Sequence, residues 1–189
     1  MKTQYIKMTV VASLLFAQLS LASELREKVE VLEIAQRFIS TIACGGVGFP
    51  NDAEDVSEID LLRNVHTINR DPEFGSAFYY VLWSGDWGCS GGSGGFGFYL
   101  TEIGRYGKHH PFVVQNQDVI HTELSGLINT RFIESFELAE PRKMIIVSSE
   151  HSEDDSNNFP SKRYRYEIIS KPGDGWHIEN KEYLGINRY

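Results

Sequence analysis

The sequence lacks most of the signatures that would name its chemistry. No His-x-His or His-x-x-x-His pair is present to build a metal centre. The six histidines, at 66, 109, 110, 121, 151 and 177, are scattered. Adjacent His109 and His110 would point to opposite faces of a strand, so the reading gives surface histidines and no metal site. No strand–helix alternation supports a doubly wound fold, no internal repeat supports a propeller, and no motif calls for a cofactor. There is no Asn-x-Ser/Thr acceptor. Long apolar runs are missing too: Met8 to Leu21 is broken by Thr9, Ser13, Gln18 and Ser20, too short a core to span a membrane. Basic charge is scarce, with 18 Lys and Arg against 26 Asp and Glu and a net charge of −8. That balance disfavours nucleic acid and anionic membrane surfaces as partners.

What is present begins with a leader. Lys2 and Lys7 precede the short apolar run, and Ala22-Ser23 offers small residues for cleavage. This is the pattern of a secretory signal peptide over 1–22, which places the protein in the periplasm or outside the cell. No cysteine follows the run, which excludes a lipid anchor there and leaves no membrane attachment after cleavage. Residues 23–189 suffice for a single α+β domain with its own core. Without the two leader lysines, 16 basic residues face 26 acidic ones, a net −10, which suits a basic partner or simple solubility. Cys44 and Cys89 are the two cysteines, and in an exported chain they read as one disulfide, a metal pair or catalytic thiol being the alternative.

Apolar residues at helical spacing (Leu25, Val29, Leu32, Ala35, Phe38, Ile39, Ile42) predict an amphipathic helix over Glu24–Ala43, stopped by Gly45 and Gly46. Gly45 to Val56 reads as loop. Ser57 and Asp60 resemble a capping box opening a second helix through Ile59, Leu61, Leu62, Val65 and Ile68. The acids Asp52, Glu54, Asp55, Glu58 and Asp60 fit a solvated helix start better than a cation site. After Pro72 strands are expected at 78–83, 96–103, 111–115, 118–122, 129–138, 144–149, 164–170 and 176–184, the last two joined by a Lys171–Gly175 hairpin turn. One or two N-terminal helices followed by seven or eight strands give an α+β fold with a largely antiparallel sheet, as sandwich or partial barrel. The acidic stretch Ser148–Asn158 lacks the spacing of a calcium loop and reads as a hairpin tip.

Ser76 to Thr101 is the most unusual stretch: an aromatic strand, a Gly85-Asp86 turn, Cys89, a glycine- and serine-rich run, and a second aromatic strand. Gly91-Gly92-Ser93-Gly94-Gly95 satisfies the nucleophile-elbow pattern, but a strand and not a helix comes after it. Chymotrypsin-like proteases want an acid where Gly92 stands, and His66 has no matching context. Asp86, set between Trp83 and Trp87, is the acid with the most unusual neighbours. A disulfide-held loop with little side-chain bulk can enter a partner's cleft with small entropic loss.

The leader, the acidic β-rich domain, the two cysteines and the loop Ser90-Gly91-Gly92-Ser93-Gly94-Gly95 resemble bacterial periplasmic inhibitors of peptidoglycan hydrolases. These include lysozyme inhibitors and immunity proteins that neutralise type VI secretion effectors. In the lysozyme-inhibitor families a Ser-Gly-rich loop, with an aromatic shortly after it, enters the target's cleft. The resemblance makes Ser90, Ser93 and Tyr99 the counterparts; it extends from Ser90 to Tyr99 and lacks the regular Ser-Gly-Ser-Gly order. The expectation is a non-enzymatic inhibitor or immunity protein meeting a basic hydrolase or toxin through Asp86, Trp87, Ser90, Gly91, Gly92, Ser93, Gly94 and Tyr99. The alternatives are a glycan- or peptide-binding platform of Tyr79, Trp83, Trp87, Phe96 and Tyr99, and a small hydrolase using Asp86 or Ser93.

Overall fold

Helical periodicity in the N-terminal third is realised as one long helix, α1 (Lys2–Ile42). A computed structural model describes residues 2–49, 57–92, 95–124, 126–171 and 173–187, with backbone alone for 2–20. Among the described residues no helix is long and apolar enough to cross a membrane. The buried stripe of α1 is Val31, Leu32, Ala35 and Ile39, while Leu25, expected on that face, is exposed. Among the described side chains, polar attachment begins at Ser23, whose hydroxyl accepts from Arg70 at 2.6 Å. Glu27 accepts from Arg70 at 2.6 Å, Arg105 at 2.7 Å and the Tyr79 hydroxyl at 2.8 Å. Burial alone would raise its pKa, but these hydrogen bonds and the two guanidinium charges hold it below the ordinary carboxylate value.

The helix runs straight into strand β1 (Ala43–Val47), so Gly45 and Gly46 belong to a strand and not to the expected helix stop and loop. Gly45 lies opposite Gly85, and a Cβ on Gly45 would stand 2.3 Å from the Ser84 carbonyl oxygen. Ser57 caps α2 (Glu58–Leu61) as the capping box predicts, its hydroxyl accepting from the Asp60 amide and donating to the Asp60 carboxylate. The second helix stops there. After a 3-10 turn, Leu62–Asn64, the chain enters β2 (Val65–Asp71), so His66 sits on a strand.

The expected aromatic strands are β3 (Ser76–Trp87) and β4 (Phe96–Arg105), followed by β5 (Val113–Asn116). β3 and β4 pair from Ala77–Arg105 to Asp86–Phe96, β5 adds to β4, and the other edge of β3 is shared by β2 and β1 in succession. The segment expected as a strand at 118–122 is instead a helix, α3 (Val119–Leu124). Asp118 turns the chain there: its carboxylate accepts from the Ile120 amide and its carbonyl from the Thr122 amide and hydroxyl. A 3-10 turn, Thr130–Phe132, leads to the meander β6 (Ile133–Glu140), β7 (Lys143–Glu150), β8 (Lys162–Lys171) and β9 (Gly175–Ile186).

The fold is therefore α+β, with nine described strands in two antiparallel sheets, neither closed into a barrel, where seven or eight were expected. Side-chain alternation along β3 sorts two cores. Ala77, Tyr79, Val81 and Trp83 meet α1, while Tyr80 and Leu82 meet α3 and the second sheet through Ile120, Met144, Ile146 and Tyr166. The first sheet is covered on both faces.

The acidic stretch closes on itself. Asp155 accepts from the Ser152 and Ser161 amides, both at 2.7 Å, which drives its pKa far below the ordinary value. Glu150 is engaged by Lys181 and by the Tyr166 hydroxyl. Among the described residues no group of three His, Cys, Asp or Glu converges as a metal site would. Asp52, Glu54 and Asp55 lie outside the described residues.

Candidate functional site

The loop expected to matter is built by a disulfide and one carboxylate. Cys44 and Cys89 are bonded, with Cα atoms 5.0 Å apart, tying β1 to the start of the loop. Beside them the Gly88 amide donates to the Ile42 carbonyl at 2.7 Å, so the loop also caps the last turn of α1. Gly85 and Asp86 were expected as the turn; β3 instead continues through Trp87, and the chain turns at Gly88-Cys89.

Asp86 draws the loop together. Its carboxylate accepts from the Ser90 hydroxyl at 2.9 Å and the Gly91 amide at 2.6 Å, and its carbonyl from the Cys89 amide at 3.1 Å. Gly95 packs against this knot, leaving no space for a Cβ beside Asp86 and Ser90. The outer side is different: Gly88, Gly91 and Gly92 have positive φ and nothing within 4 Å of where a Cβ would stand. One face of the loop is thus bare backbone at the surface. Ser93 and Gly94 lie outside the described residues.

The flanking aromatics are not equivalent. Tyr79 and Trp83 are fully buried and Phe96 half-buried, so the five proposed platform residues do not form an exposed surface. Trp83 stacks on Tyr99 with centroids 4.3 Å apart, and Tyr99 also stacks on His121 at 5.2 Å. Tyr99 is 8 % exposed, whereas Trp87 is 36 % exposed. Burial raises the Tyr99 pKa, and the charges of Asp118 and Asp86 add to it, so its hydroxyl stays protonated.

Beside Trp87 and Tyr99 a cleft of about 380 Å³ opens, completed by Gln117, Asp118, His121 and Thr122. Sequence reasoning missed these four, having placed a strand over 118–122 and scattered the histidines. Asp118 contacts His121 Nδ1 directly and accepts from the Leu100 and Ile120 amides. The hydrogen bond to Asp118 outweighs burial and raises the His121 pKa. His121 Nε2 is 3.1 Å from the Thr130 hydroxyl. Hydroxyl, imidazole and carboxylate thus follow the order of a nucleophile, its base and an orienting acid. Thr130, however, sits on the 3-10 turn and does not line the cleft, so the arrangement fixes the imidazole and offers the cleft no nucleophile. A signal for α3 was present in Asn116-Gln117-Asp118, since the Asn116 side chain accepts from the Asp118 amide as in a helix-opening turn.

Of the expected site residues, Asp86, Trp87, Ser90, Gly91, Gly92 and Tyr99 converge at one end of the first sheet. Compared with known proteins, the chain matches no family model, no curated protein and no solved structure.

Proposed function

We propose that the chain is an exported binding protein of the inhibitor or immunity type, which engages a basic cell-wall hydrolase or secreted toxin through the loop from Gly88 to Gly95. The observation that carries this reading is the loop itself. It is held at its base by Cys44–Cys89 and drawn together by Asp86, while the outer side of Gly88, Gly91 and Gly92 carries no bulk. A recognition loop tied at its base loses less conformational entropy on binding than an untethered one. The leader-like N-terminus supports export, and a net charge of −8 favours a basic partner.

The test is affinity capture of basic cell-wall hydrolases and secreted toxins on the immobilised protein, with the captured complex titrated against variants. Ser93→Trp adds bulk to the recognition loop and should weaken the complex about a hundredfold or more. A loop variant that binds as tightly as the wild type overturns the assignment of the loop.

A further inference from the structure

We propose that the cleft between Trp87 and His121 binds one ring of a neutral saccharide. This is a second binding function beside the protein-partner loop and does not depend on it. The cleft, about 380 Å³, falls in the range of small-ligand sites. One wall is Trp87, 36 % exposed, whose indole offers an apolar face of the kind that packs on a sugar ring. The lining is otherwise largely polar: Gln117 and Thr122 are exposed, and the Gln117 side-chain amide has no hydrogen-bond partner among the described residues.

The charges in the cleft decide between ligand classes. Asp118 is occupied by His121 and by the Leu100 and Ile120 amides, so it offers no free carboxylate to a cation. An anion finds no unpaired cation among the described lining residues, since His121 is engaged by Asp118, and it meets the negative field of a chain of net charge −8. A wholly apolar guest would leave the Gln117 side-chain amide desolvated without a partner. A neutral ring with one apolar face and hydroxyls around its edge satisfies both the indole and the polar lining.

The experiment titrates the mature protein with three neutral probes, chitotriose, cellotriose and maltotriose, by calorimetry and tryptophan emission. At least one should saturate the protein. Trp87→Ala should weaken binding about tenfold, Trp87→Phe should keep most of it, and Gln117→Ala should weaken it about threefold without touching the core. Absence of heat and of an emission change with all three probes overturns the proposal, as does equal binding by wild type and Gln117→Ala. The Ser93→Trp protein separates the two functions: loss of the protein partner with the saccharide retained leaves both readings standing. Retention of the partner with no saccharide binding by the wild type overturns this one alone.

Discussion

Gly45 and Gly46 stand side by side on β1, yet a methyl group would do opposite things at the two positions. At Gly45 it would stand 2.3 Å from the Ser84 carbonyl oxygen and 2.6 Å from Gly85 Cα, whereas at Gly46 it would meet nothing within 4 Å. Gly45→Ala should therefore lower stability by about 2 kcal/mol and Gly46→Ala should change it by less than about 0.5 kcal/mol, read from urea midpoints. His66 gives a second prediction. Burial, with a smaller contribution from the Lys28 charge, lowers its pKa from 6.5 to about 4. Between those values the unfolded chain binds more protons than the folded one, so stability is full above the upper value and is lost as pH falls towards the lower. The loss approaches about 3 kcal/mol. His66→Phe, set against Phe136 at 4.9 Å, should flatten melting temperature against pH across that window. Neither residue could be read correctly from sequence. Two glycines after an apolar helix look like a stop because the backbone that demands glycine, Gly85, lies forty residues away.

The disulfide sets the prediction at the level of elements. It closes a separation of 45 residues, so replacing Cys44 and Cys89 by serine should cost about 4 kcal/mol, the chain-entropy value for that loop. A denaturant midpoint for the double variant equal to that of the wild type would show that the unfolded chain is not expanded by losing the bond. Element types were legible wherever the hydrophobic period was intact, as in β3, β4 and β7–β9. β2 was misread for a specific reason. Its pairing with β3 slips between Thr67 and Asn69, where Ile68 is the extra residue of a bulge. Val65 and Ile68, three apart, suggest one face of a helix, but on the strand they enter opposite cores. α3 was misread because a six-residue helix with Val119, Ile120 and Leu124 buried shows too little periodicity to separate it from a strand.

For the molecule as a whole, the boundary of the proposed leader is open to direct measurement. Among the described side chains, the first polar attachment of α1 to the sheet is at Ser23, and Leu21 is 70 % exposed. Cleavage before Ser23 would leave Glu24, Glu27 and the buried stripe in place, so the exported protein should have the intact mass of residues 23–189, with the fold retained. A mature chain beginning beyond Glu27 would refute that boundary. The candidate site was half visible in the sequence. Trp87, Tyr99 and the glycine-rich run stand out as a local string, and two cysteines leave one intramolecular pairing. Gln117, Asp118, His121 and Thr122 did not stand out, because β4 and α3 are brought together by long-range packing of Tyr99 on His121, which no local pattern records. The division into two sheets was hidden for the same reason.

That β1 and β2 share one edge of β3 also bears on the order in which the chain acquires structure. The second sheet is a meander whose neighbours are adjacent in sequence, so its pairings form with short loop closures. β1 pairs with Ser84, Gly85 and Asp86, and Glu27 waits for Arg70, Tyr79 and Arg105. As a nascent chain lengthens from its N-terminus, Ser23, Glu24 and Glu27 gain their first described polar partners from β2, and the set around Glu27 is complete only when β3 and β4 have been made. The helix that is made first is thus among the last elements to gain its full set of partners.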